Sequence, residues 1–121
     1  MTQKITIWHN NRCSTSRKVF ELLKGNAENI EVRDYVANPP DVKELQQVLK
    51  KMKQKPEYIL RKKEHFYKEE VAGKNLSDDE LMKIMSEHPI LIERPIIIIN
   101  KKAWLGRPPE EFEKILLQEI K

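Results

Sequence analysis

The sequence has a single cysteine, Cys13, among its 121 residues. One thiol cannot close an internal disulfide, so nothing staples the fold and a reducing compartment is implied. Any redox chemistry must take its second thiol from another molecule. Long apolar runs are missing too. No stretch approaches the roughly 20 apolar residues that a membrane-spanning helix needs, and "MTQKITIW" lacks the apolar core of a secretory signal. The chain therefore reads as cytoplasmic, with no membrane partner. Internal repeats, low-complexity segments and linker-like stretches are also absent. With 39% hydrophobic and 35% charged residues, the length suits one domain, residues 1–121, with a core of its own.

Charge excludes less. There are 23 basic and 19 acidic residues, a formal net charge of +4, and the pI is near 9.1. The excess is concentrated between Lys50 and Lys63, where seven basic residues face one acid, Glu57. No aromatic platform or glycine loop is interleaved with that run, so it reads as a solvated helix face and not as a nucleic-acid site. His65 and His88 show no ligand spacing with Cys13 or with each other, and no metal is expected. No exposed apolar surface is evident, which favours a monomer.

What is present is a succession of strand and helix patterns. "KITIW" alternates polar with β-branched residues and predicts a first strand. From Ser14 the period changes, and Val19, Phe20, Leu22 and Leu23 predict a helix face closed by Gly25-Asn26. "NIEVRDYV" alternates again, with Ile30, Val32 and Tyr35 as inward positions of a second strand that Pro39-Pro40 stops. Residues 41–88 form a helical block. It holds Val42, Leu45, Val48, Leu49 and Met52 at helical spacing, then a short helix opened by Pro56. A capping box follows at Ser77 and Glu80, ahead of Leu81, Ile84 and Met85. His88-Pro89 ends that block. Four consecutive isoleucines, 96–99, predict a central strand covered on both faces. "KKAWLG" is its hairpin partner across Asn100-Lys101. Pro108-Pro109 opens a last helix with Phe112, Ile115, Leu116 and Ile120 inward. This order predicts an α/β, thioredoxin-like fold: β-α-β and β-β-α halves around a four-stranded mixed sheet, with a helical insertion at about 41–88.

Such a fold puts Cys13 at the first junction of loop and helix. A thiol is a weak nucleophile until ionised. Here unpaired N–H groups and the positive end of a helix face the sulfur, Arg12 and Arg17 lie close in sequence, and His9, Ser14, Thr15 and Ser16 are available donors. A lone cysteine is commonly a small buried apolar residue. Cys13, however, has no apolar neighbour within three residues on either side. The same helix start suits an anion, and three arginines stand in restrictive contexts: Arg61, Arg94 before a proline, and Arg107 before a proline. The arginine fork of donors matches oxyanions in a way that lysine does not. Arg94-Pro95 leads into the buried strand, where a cis proline often sits in thioredoxin-like folds.

These residues resemble a known family. "HNNRCSTSR" is similar to the H-N-P-x-C-x-x-S-R loop of the thioredoxin-fold arsenate reductases coupled to glutathione and glutaredoxin. "ILRKKEHFYKE", "HPILIERPIIII" and "LGRPPEEF" resemble that family's other signature stretches, in order and over essentially the whole chain. The resemblance implies that Cys13 attacks arsenate to give a thiol-arsenate adduct. It implies that Arg61, Arg94 and Arg107 hold the oxyanion, and that His9 and Ser16 help keep the thiolate. Asn10 and Arg17 match the loop's remaining fixed positions and count with His9 and Ser16 as thiolate-stabilising. Glutathione would act as co-substrate, with no bound cofactor; arsenite would be the product, and glutaredoxin would resolve the mixed disulfide at Cys13. Asn11 departs from the pattern, standing where the family usually has proline.

Two rival readings have recognisable marks. Thioredoxin-fold regulators that bind RNA polymerase carry a Cys-x-x-Cys switch, but here the position three before Cys13 is Asn10. A general glutathione-linked thiol transferase would use Cys13 without needing Arg61, Arg94 and Arg107 as a set.

Overall fold

β-Branched residues and caps lay out the chain in a computed structural model that describes residues 4–119. The strands are β1 (Ile5–His9), β2 (Ile30–Asp34), β3 (Ile96–Ile99) and β4 (Lys102–Leu105). The helices are α1 (Ser14–Asn26), α2 (Val42–Met52), α3 (His65–Glu70), α4 (Asp78–Glu87) and α5 (Pro109–Glu119). Short 3-10 turns cover Pro56–Ile59 and Pro89–Leu91. The chain divides into two compact units. One comprises the segment up to Asn38 together with that from Arg94 onward; the other is Pro39–Glu93.

In the first unit the strands lie in the order β2-β1-β3-β4. β1 runs parallel to β2, with Ile5 opposite Ile30, and antiparallel to β3, with Ile7 opposite Ile97. β3 and β4 form an antiparallel hairpin whose turn uses Asn100 at φ 55°, a left-handed conformation that asparagine tolerates. This is the expected thioredoxin-like arrangement, β-α-β and β-β-α around a mixed sheet. On one face Ile5, Ile7, Ile97 and Ile99 pack with Val19 and Leu23 of α1 and with Phe112 and Leu116 of α5. Trp8 and Ile96, on the opposite face, are buried as well. β3 therefore has the interior position that its isoleucines predicted, although Ile98 is only half-buried.

Several expectations are corrected. Val32 is 45% exposed and not inward, because β2 is an edge strand and α1 and α5 pack against the central ones. Tyr35 is buried but lies beyond β2 in a turn. α1 ends at Asn26 as predicted, but not by a glycine cap: Gly25 is helical, Ala27 is the C-cap with extended backbone, and Asn26 Nδ2 donates to the Leu22 carbonyl at 2.8 Å. Phe20, Leu22 and Ile115 are only partly buried against the core. Ile120 lies outside the described residues. Exposed apolar side chains, thought to be lacking, do occur: Val32, Val36, Tyr58, Ile90 and Leu117.

The second unit is held by its caps and a small core. Asp41 and Glu44 form a capping box on α2, and Ser77 and Glu80 form the expected one on α4. Each satisfies two otherwise orphaned backbone donors. Leu45, Val48, Leu49, Ile59, Leu81, Met82, Met85 and Leu91 are buried, whereas Ile84 is only partly so. A lone bridge joins Leu60 to Ile92. The lysines of the basic run, at 50, 51, 53, 55, 62 and 63, are all exposed. No helix among the described residues is long and apolar enough to cross a membrane.

Two glycines of the first unit test this packing. A Cβ on Gly106 would meet Ile97 Cδ1 at 2.7 Å and Pro95 Cγ at 2.9 Å, whereas one on Gly25 would meet nothing within 4 Å. Gly106→Ala is expected to destabilise the chain by ~1–3 kcal/mol through overpacking. Gly25→Ala is expected to stabilise it by ~0.5–1 kcal/mol through helix propensity. Urea unfolding of the two variants checks both signs.

Candidate active site

The site begins where β1 ends. After His9 the chain turns through Asn10 and Asn11, and the turn is closed by its own polar groups. Cys13 N–H donates to the Asn10 carbonyl at 3.0 Å, and Arg12 N–H to Asn10 Oδ1 at 2.9 Å. Asn10 N–H donates to Ser16 Oγ at 3.1 Å, and Arg17 Nη1 clamps the Asn11 carbonyl at 2.8 Å. Asn10 and Arg17 are thus held at the loop, and both act on its backbone.

Cys13 is the N-cap residue of α1, with extended backbone at φ −94° and ψ 122°, and it makes no short side-chain cap bond. Its thiol nonetheless sits below its ordinary pKa. Burial opposes ionisation and is the largest single influence, but it is outweighed by others acting together: the Ser16 N–H, the Arg94 guanidinium through both hydrogen bond and charge, and the Thr15 N–H. The donors acting on the sulfur from α1 are therefore backbone groups at the helix start, where intrahelical partners are lacking.

The arginines come from the hairpin. Ile96 pairs with Leu105, so Arg94, two residues before Ile96, and Arg107, two residues after Leu105, emerge together from the open end of β3 and β4. Both precede cis prolines. Arg107 Nη1 donates to the Arg94 carbonyl at 3.0 Å and reaches Cys13 Sγ at 3.9 Å. The Arg94 guanidinium lowers the Cys13 pKa, and its Nε and Nη1 are buried without a hydrogen-bond partner among the described residues. Buried charged donors left unmade are costly. These two can take a small anion beside the sulfur.

His9 supports the loop from beneath. Its Nδ1 lies 2.6 Å from Ser16 Oγ, and its ring packs against Phe20 with centroids 5.2 Å apart. Burial lowers its pKa. A hydrogen bond to the Asn11 side chain and the charge of Asp34 pull the other way, and Arg17 adds to the lowering. His9 is therefore neutral near pH 7. The Ser16 hydroxyl is spent on His9 and Asn10, which leaves its N–H as the group that serves the sulfur.

Arg61 belongs to the second unit. Its N–H donates to the Leu91 carbonyl at 2.7 Å, and its guanidinium pairs with Glu64 at 3.1 Å and Glu93 at 3.5 Å. The Glu64 contact, made from Nη1, is an ion pair without hydrogen-bond geometry. Reading the sequence alone overlooked both glutamates. The three-residue spacing of Arg61 and Glu64 was a signal for one of them, and nothing local pointed to Glu93. The Asn11 side chain on His9 was likewise missed, whereas the N–H groups of Thr15 and Ser16 are the unpaired helix-start donors expected at the sulfur.

The sequence profile of the ArsC family matches residues 8–115. The chain belongs to the ArsC family. Relatives agree over nearly their full length. "Uncharacterized protein YfgD" of Escherichia coli strain K12 is 41% identical over 118 residues, which are 96% of this chain and 99% of that protein. The "Arsenate reductase" of Neisseria meningitidis serogroup A is 39% identical over 115 residues, 93% of this chain and 98% of that one. Among solved structures, the arsenate reductase from Vibrio cholerae superposes with a TM-score of 0.89 at 37% identity, covering 98% of this chain and 99% of its own. Family membership thus accompanies the pairing of Cys13 with Arg94 and Arg107 at one end of the sheet.

The His9 environment has a consequence for stability. A folded-state pKa below the unfolded value means that the native state resists protonation, so His9 contributes stability that is fully present above the unfolded pKa of about 6.5 and is lost as pH falls below it and through the lower folded-state pKa. Between pH 7.5 and 5.5 the urea midpoint of the wild type is expected to fall more than that of His9→Asn. Equal losses would show that His9 titrates normally.

Proposed function

We propose that this ArsC-family chain is a thiol-dependent reductase that converts arsenate to arsenite through a covalent adduct on Cys13. The observation that carries the reading is the pairing of a thiol held below its ordinary pKa with Arg94, whose two buried donors lack partners. A reductase working on an anion needs both, and the relatives named arsenate reductase support the choice of anion.

The steps balance as follows. Arsenate enters beside Arg94 and Arg107, whose charges offset its own. The Cys13 thiolate attacks arsenic(V), an S–As bond forms, and one arsenate oxygen leaves as water after taking up protons. Glutathione sulfur then attacks Cys13 Sγ, forming an S–S bond and breaking the S–As bond. The bonding pair stays on arsenic, which becomes arsenic(III), and the thiol proton goes to an arsenite oxygen. Two sulfurs have been oxidised by one electron each and arsenic reduced by two. A further thiol, from glutaredoxin or glutathione, reduces the mixed disulfide and restores Cys13. With one cysteine in the chain, every reducing equivalent must come from outside. His9 and Ser16 hold the loop, Asn10 and Arg17 close it, and the resemblance of its motif makes Arg61, in the second unit, a further candidate for oxyanion binding.

A general thiol transferase fits less well, because disulfide exchange gives the unfilled donors of Arg94 nothing to hold. The regulatory reading lacks its switch, since Cys13 has no partner cysteine in the chain.

NADPH consumption coupled through glutathione reductase, with glutathione, glutaredoxin and arsenate, tests the reading. Turnover is expected, and Cys13→Ser should lower it by at least ~10³-fold, because the nucleophile is gone. Arg94→Ala should raise the arsenate KM by ~10–100-fold, the worth of charge-assisted hydrogen bonds of about 1.5–3 kcal/mol, and slow exchange with a glutathionylated peptide by far less, through the raised thiol pKa alone. Turnover that survives Cys13→Ser would end the mechanism.

A further inference from the structure

A groove of about 780 Å³ opens between α1 and α5, lined by Arg17, Lys18, Glu21, Gly25, Glu110 and Glu113, among others. Its size falls in the range of small-molecule sites. It begins beside Ser14, the residue after Cys13, and runs along α1 to Asn26. At 1.5 Å per residue, Ser14 to Gly25 spans about 16 Å, room for a three-residue chain of about 10 Å.

Its charges are unusual in being unmatched. Lys18, Glu110 and Glu113 share the groove, yet among the described residues none of them forms an ion pair or side-chain hydrogen bond. Arg17 has one nitrogen committed, on the Asn11 carbonyl. Among the described residues, Glu21 is the one of these charged groups that is ion-paired, to Lys24 at 3.5 Å. Glu110 gains from the start of α5, but Glu113 lies a turn further on and lacks that support. Cations and carboxylates that face one cavity without pairing suit an occupant carrying both signs. The apolar part of the lining, Leu22 and Pro109, suits the short aliphatic stems of such an occupant.

We propose that this groove seats the reducing thiol, a small zwitterionic peptide of the glutathione type. Its carboxylates lie against Arg17 and Lys18, its ammonium lies against Glu110 and Glu113, and its sulfur is delivered toward Cys13. The proposal rests on the reductase reading and gives that reading's second substrate a place. The covalent step is the one already written: the peptide sulfur bonds Cys13 Sγ, the Sγ–As bond breaks with its pair on arsenic, and the thiol proton passes to arsenite. A protein docking here would cover far more surface than this groove offers.

S-Methylglutathione, which binds as the tripeptide does but cannot form a disulfide, separates the groove from the chemistry. Titrated into the ¹⁵N-labelled full chain without arsenate, it is expected to shift the amides of Lys18, Glu21 and Gly25 saturably. Lys18→Glu and Glu113→Lys should each weaken that binding about tenfold, roughly 1.4 kcal/mol. In the coupled assay the same variants should raise the glutathione KM about tenfold and leave the arsenate KM unchanged. Lys18→Ala, a milder change at an exposed position, guards against misfolding and should move the glutathione KM in the same direction. Shifts confined to other surfaces, or an unchanged glutathione KM in all three variants while arsenate is turned over, would overturn the groove and leave the reductase reading intact. Saturable shifts along α1 without any arsenate turnover would uphold the groove and remove the reductase reading.

Discussion

A guanidinium with two buried nitrogens beside a half-buried sulfur is the constraint from which the site follows. Burial alone would keep Cys13 protonated, since a thiolate leaving water loses its hydration. The N–H groups of Thr15 and Ser16 and the charge of Arg94 reverse that balance. Arg94 in turn is half-buried, with Nε and Nη1 buried and unmade among the described residues, an arrangement that an anionic partner relieves. The sulfur supplies part of that relief, and in the proposed reaction the substrate supplies the rest. In the proposed reaction, thiol activation and anion affinity thus arise from one side chain.

The fold serves this pairing through rigid elements. The isoleucines of β1 and β3 bury one sheet face against α1 and α5, which fixes the end of β1 and the start of α1, and with them the loop carrying Cys13. The register of the β3–β4 hairpin brings Arg94 and Arg107 out side by side, and Arg107 ties the Arg94 carbonyl. Gly106 N–H donates to the Pro95 carbonyl at 2.9 Å, closing the same end of the hairpin in a space too tight for a Cβ. Positions 13, 94 and 107 are far apart in the chain, and strand pairing alone brings them together.

Much of this was legible from residue pattern. The polar loop around Cys13, the β-branched strands, the Ser77 capping box and the arginines before prolines each carry a local physical signal. Even the meeting of Arg94 and Arg107 was implicit once "IIII" and "KAWL" were read as a hairpin. What stayed hidden depends on neighbours that sequence does not name. Val32 alternates like an inward residue, yet it lies on an edge strand away from the packed helices. Gly25 looks like a helix cap, yet α1 continues through it. The capping box of Asp41 and Glu44 carries the same local signal as that of Ser77 and Glu80, ahead of its own apolar stripe. The capture of the Ser16 hydroxyl by His9, the hold of Glu64 and Glu93 on Arg61, and the unpaired charges along α1 and α5 are tertiary facts.

The most direct test is the titration of the Cys13 thiolate by its ultraviolet absorbance, with and without sulfate as an unreactive tetrahedral anion. Linkage requires that an anion seated on Arg94 and a negative sulfur oppose each other. The account predicts an apparent pKa below the ordinary thiol value in the absence of sulfate, and a rise toward that value as sulfate saturates. An ordinary titration that sulfate leaves unmoved would contradict it.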